Sequence, residues 1–107
     1  AVCEAPIDAM SLAALERMRA NTVYAATGGG MGPDTIAALA RLMRGLTGCA
    51  CALVSVAPDG DAAGERYAAK LHQMAGEAGL PSERLHPPPG HKDWNAYLQA
   101  RGRGDAP

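Results

Sequence analysis

Apolar positions along this chain alternate between a short contiguous run and a helical spacing, four times over. "AVCE" is short and apolar and predicts a strand ending at Glu4. Behind Pro6, a residue suited to a first helical turn, Ile7, Met10, Ser11, Ala14, Leu15 and Met18 recur every three or four positions and predict a helix with that face buried. "TVYAAT" predicts a second strand, which runs into "GGGMGP". Ile36, Leu39, Ala40, Met43 and Leu46 mark a second helix, stopped by "TG". "CACALVSVA" is a long apolar run, the pattern of a strand covered on both faces. Tyr67, Leu71, Met74, Ala75 and Ala78 define a third helix, closed by Gly79 with Pro81 beyond it. "RLHPP" predicts a short last strand, and "DWNAYLQA" a final helix with Asp93 near its cap.

Strand and helix in strict alternation imply an α/β domain: a Rossmann-like, parallel, four-stranded sheet flanked by helices and joined by right-handed crossovers. In such sheets ligands bind outside the carboxyl ends of the strands. Three features fall at those ends: Glu4, the loop holding Gly28 and Gly29, and the pair Asp59 and Asp61. The topology brings them to one edge although they lie far apart in the chain.

Bulk properties narrow the function. The chain of 107 residues is one domain, read as residues 1–100, with 101–107 ("RGRGDAP") as a flexible tail. A net charge of −1 gives no field that would draw nucleic acid or an anionic membrane by itself. No run approaches a membrane span, so no membrane partner is expected. Three cysteines form no framework spacing, which suits a reducing, cytoplasmic setting. Phe is absent, so the core is expected to rest on small side chains and close backbone approach. "AVCEAP" opens in mid-element, and the chain is expected to be a domain of a larger protein.

Asp59 and Asp61 stand where the third strand hands over to a helix. Carboxylates so close resist joint ionisation unless a cation lies between them. Hard divalent cations such as Mg²⁺ take oxygen ligands of this kind and keep positions for water and phosphate. Glu4 adds a third acid able to ligate metal or move a proton. Gly60 keeps the turn tight, and Gly64 lets the helix start close to the sheet. The plainer account is that Asp61 caps the helix and Asp59 is a solvated turn residue.

These stretches resemble the Toprim domain. "CEAPIDAMSLAAL" is similar to its first motif, a Glu at a strand end followed by a helix bearing Asp, and "APDGDAAGERYAAKL" to its second, D-x-D followed by Gly. "GHKDWNAYL" resembles the closing K-D segment of primase-type members, in particular those of plasmid- and phage-borne primases and mobilisation proteins. The resemblance implies the Toprim fold and Mg²⁺-dependent chemistry, with Mn²⁺ as a substitute. The reaction implied is primase-like nucleotidyl transfer, or DNA strand cleavage and transfer, in replication or mobilisation of mobile elements. Glu4 would be the acid/base and a metal ligand, and Asp59 and Asp61 would hold metal. Asp8, Gly28, Gly29, Gly64, Lys92 and Asp93 would be supporting. Its partners would be DNA or RNA/DNA and nucleoside triphosphates, reached through other domains of the full-length protein. Ala5 departs from the Gly that many members carry after the Glu. That departure keeps a non-catalytic docking module in view, and acids at strand ends would also suit a receiver-like or phosphohydrolase domain.

Other features have plainer readings. "TGGGMGPDT" would cradle phosphate through its exposed N–H groups or serve as an ordinary loop. Cys49 and Cys51 fall on one face of the predicted third strand and Cys3 on the first, and all three read as core. His72 reads as exposed, and His86 and His91 as loop residues. Arg17, Arg19, Arg41 and Arg44 read as solvated helix charges. Tyr24, Tyr67 and Tyr97 read as half-buried packing residues rather than nucleophiles.

Overall fold

The structure is a computed structural model that describes residues 1–103. Its elements follow the predicted order: β1 (Val2–Cys3), α1 (Pro6–Leu15), β2 (Ala25–Ala26), α2 (Pro33–Leu46), β3 (Val54–Val56), α3 (Ala62–Glu77), β4 (Ser82–Arg84) and α4 (Trp94–Gly102). The strands pair in the order β2-β1-β3-β4, all parallel. β1 is central, with Val2 opposite both Ala25 and Val56. Successive strand side chains face opposite ways, and the sheet therefore has two cores. Val2, Val54 and Val56 pack with Leu39, Met43, Leu71 and Met74 under α2 and α3. Cys3 and Ala57 pack with Ala9, Leu12 and Trp94 under α1 and α4.

α1 exposes part of the face expected to be buried. Asp8, Ala9, Ser11, Leu12 and Ala13 are its buried residues. Ile7 is 55% exposed and Met10 72% exposed. The helix ends at Leu15 because Arg17 and Met18 take left-handed φ values of 56° and 53°, and Met18 lies beyond it, exposed. Hydrogen bonding to α4 explains the rotation. Asn95 N–H donates to Asp8 Oδ1 at 3.1 Å, and Ser11 Oγ donates to Ile7 O at 2.7 Å and to Asn95 Oδ1 at 3.4 Å. Buried polar groups are tolerated once bonded, and the small side chains beside them allow close packing of the two helices.

β3 is likewise shorter than its apolar run. Its partner β4 begins at Ser82, opposite Val54, so residues before Val54 have no neighbour to pair with on that side. Cys49 and Cys51 therefore lie in the turn after α2, both exposed, with Cys51 at φ 62°. The reading of these two cysteines as core is corrected; Cys3 alone is buried. β4 starts earlier than the predicted "RLHPP" and overlaps it only at Arg84. Leu85 N–H still donates to Val56 O at 2.8 Å, and the prolines after His86 have no N–H to extend the ladder.

α4 continues through Gly102, past the expected boundary at residue 100. Residues 104–107, the remainder of the expected tail, lie outside the described residues. No helix among the described residues is long and apolar enough to cross a membrane.

Candidate metal centre

Asp8 lies in the first turn of α1, Asp59 just past the end of β3, and Asp93 at the N-cap of α4. One carboxylate oxygen of each lies within 4.8 Å of the other two. All three stand at the carboxyl edge of the sheet. Two contacts bring the α4 start to the end of β3: the buried Trp94 Nε1–H donates to Ala57 O at 2.9 Å, and Gly60 N–H donates to Lys92 O at 2.7 Å. Asp93 is aimed by its own cap, since its Oδ1 accepts from Ala96 N–H at 2.8 Å.

The neighbouring predicted residues serve this cluster in different ways. Glu4 Oε1 accepts from Asp59 N–H at 3.1 Å, so the acid that ends β1 holds the main chain of the acid that follows β3. Glu4 is itself held by its carbonyl, which accepts from Gly28 N–H at 2.9 Å, Gly29 N–H at 3.1 Å and Thr27 Oγ at 3.3 Å. Gly28 and Gly29 have φ of 79° and 91°, which glycine adopts freely. Their N–H groups thus serve the protein's own main chain rather than stand open to a phosphate.

Asp61 turns the other way. Its Oδ1 accepts from Gly64 N–H at 2.7 Å and caps α3, while Oδ2 lies 3.7 Å from Lys92 Nζ. The described residues place Asp61 and Lys92 beside the three-aspartate cluster as an exposed ion pair. A Cβ on Gly64 would overlap the Asp59 carbonyl, so α3 approaches the acid loop as closely as a side chain-free residue permits.

Electrostatics single out Asp59. Burial, then the charges of Glu4, Asp8, Asp93 and Asp61, push its carboxyl up to about 6. Its Oδ1 is buried and has no hydrogen-bond partner. Asp8, 4% exposed, is also raised, by burial first and by Asp93, against the lowering effect of Asn95 N–H. An unpartnered buried oxygen amid converging carboxylates is what a hard cation would satisfy, and the oxygen-only donor set suits Mg²⁺ rather than a thiophilic metal. The residues present fit such an ion.

A cleft of about 650 Å³ lies at the opposite edge, among Ala1, Val23, Leu42, Leu46 and Leu53. It holds no group of acids comparable to this cluster. Its size therefore does not make it the site.

The family model described as Toprim-like matches residues 1–98. The chain belongs to the Toprim-like family. No curated protein and no solved structure matches it. The match spans every element up to the second turn of α4, and so includes all three aspartates. The Rossmann-like sheet agrees with the family's fold.

Asp8 and Asp93, expected as supporting residues, converge with Asp59. Their signal was present, since each is an acid in the opening residues of a helix. What one dimension could not show is that α1 and α4 lie side by side with their amino ends together.

Proposed function

We propose that this Toprim-like domain binds Mg²⁺, with Mn²⁺ as a substitute, and promotes phosphoryl transfer on nucleic acid. The observation that carries the reading is the convergence of Asp8, Asp59 and Asp93 around a buried, unpartnered Asp59 oxygen. Asp8, Asp59 and Asp93 would hold the ion, and Glu4 and Asp61 complete its acidic surroundings. When bound, the ion supplies neutralisation of phosphate charge and polarisation of a phosphoryl oxygen.

The chain's own residues do the rest. Glu4, with Oε1 engaged by Asp59 N–H, would take or give a proton through its other oxygen. Lys92, 67% exposed beside Asp61, is a cation at the rim for a phosphate oxygen. Trp94, buried, ties the start of α4 to Ala57 at the end of β3. We read the reaction as primase-like nucleotidyl transfer or DNA strand cleavage and transfer, in a cytoplasmic protein whose other domains bring nucleic acid and nucleoside triphosphate.

The test is a Mg²⁺ titration of this chain followed by amide NMR. The expected result is saturable shifts at residues 4, 8, 59 and 93, lost in Asp59→Asn. Signals unmoved at millimolar Mg²⁺ would overturn the reading.

A further inference from the structure

The acid loop after β3 is fastened from an unexpected direction. Arg84 ends β4 opposite Val56, and its side chain is only 12% exposed. Its guanidinium meets the main chain rather than the carboxylates of the site. Nη1 donates to Val56 O at 3.2 Å, to Pro58 O at 3.0 Å and to Leu85 O at 2.6 Å. Nη2 donates to Asp59 O at 3.0 Å and to Glu65 Oε1 at 2.7 Å, and Nε donates to the same Glu65 oxygen at 3.3 Å. His86 Nε2 lies 3.0 Å from that oxygen as well. Pro58 is fully buried, so water is a poor substitute partner for the carbonyls around it.

From these contacts we infer that Arg84 is a positioning residue for the Asp59 carboxylate. It gathers the carbonyls of Val56, Pro58 and Asp59 where the β3–β4 ladder stops. That fixes the path of the loop, points Asp59 N–H at Glu4, and leaves the Asp59 carboxylate toward Asp8 and Asp93. Glu65 offsets the buried cation and orients its plane. The role rests on the metal reading of the three-aspartate cluster for its functional meaning, and on the loop geometry for its structural one. Lysine cannot replace it: an ammonium has three donors and no planar fork, too few to join four carbonyls and a carboxylate at once.

The experiment compares wild type with Arg84→Lys, and with Glu65→Gln as a milder variant that keeps the guanidinium. Leu71→Val, in the core under α2 and α3 and outside the hydrogen bonding of the Arg84 guanidinium, is the control for lost stability alone. Mn²⁺ and Mg²⁺ affinities are read from metal titrations at a temperature where each variant is folded by its amide spectrum. Amide hydrogen exchange at Asp59 is read without metal. Arg84→Lys is expected to weaken metal binding about 10-fold or more, the scale of outer-shell changes at metal sites, and to speed exchange at Asp59. Glu65→Gln should fall between Arg84→Lys and wild type, and Leu71→Val should leave affinity unchanged. Affinity of Arg84→Lys within about twofold of wild type would overturn the inference, as would an equal loss in Leu71→Val. Exchange at Asp59 unaltered by Arg84→Lys would overturn it even if wild type bound no metal, an outcome that by itself ends only the metal reading.

Discussion

Asp59 is held where its charge is least favourable. Folding buries it among Glu4, Asp8, Asp93 and Asp61 and raises its carboxyl to about 6. The folded state therefore holds this proton more tightly than the unfolded chain, whose Asp ionises near 3.9. Asp59 imposes no penalty below about pH 4, and the metal-free domain loses stability as pH rises through about 6. Asp59→Asn is expected to flatten that slope. At pH 7.5 it should stabilise the metal-free chain by about 1 kcal/mol, a figure discounted for partial exposure. Urea denaturation of both forms at pH 4.5 and 7.5 checks this, and a lower stability for Asp59→Asn at pH 7.5 would refute it. Gly64 is a second single-residue constraint. Gly64→Ala forces its methyl against the Asp59 carbonyl and is expected to cost about 2–3 kcal/mol. Gly76→Ala, in open space within α3, is expected to stabilise slightly, since Ala is the better helix former. Thermal melts of the pair distinguish close approach from mere glycine content.

At the level of elements, the packing of α1 on α4 decides both a core and a site. Leu12→Ala is expected to destabilise by about 2–5 kcal/mol, whereas Met10→Lys, on the exposed side, should change stability by less than about 0.5 kcal/mol. Chemical denaturation of the two tests the corrected orientation of the helix, and comparable losses would refute it. Hydropathy could not reveal that orientation, because Asp8 and Ser11 are buried while Ile7 and Met10 are exposed. Their burial depends on partners in α4, more than eighty residues away in sequence. The order of elements was legible because it rests on local periodicity, and the parallel sheet followed from alternation alone. The lengths of β3 and β4 were not, because a strand is only as long as its neighbour's ladder allows.

Across the whole molecule, chemistry is divided between two ends of one sheet. The carboxyl edge gathers the acids, and the amino edge carries a cleft with Cys49 and Cys51 on its wall. Reactivity of the thiols should report this division. Cys3 is buried, and burial first, with Asp8 next, raises its thiol to about 12. It is expected to resist alkylation in the native chain, while Cys49 and Cys51 react at the rate of exposed thiols. Mass spectrometry after brief native labelling should show two modified residues, with the third modified only in denaturant. Rapid labelling of Cys3 would mean that β1 is less protected than its central place implies.

The amino-acid order alone determined the alternation of strand and helix, the edge where chemistry would collect, and most of the acids that collect there. Those are consequences of local periodicity, turn residues and the directionality of parallel crossovers. Only the tertiary structure decided which acids face one another: Asp8 and Asp93 turn toward Asp59, while Asp61 turns to cap α3 and pair with Lys92. The physical reason is that a carboxylate is aimed by the N–H groups within its reach. Which N–H groups those are depends on how helices distant in sequence settle against a shared sheet.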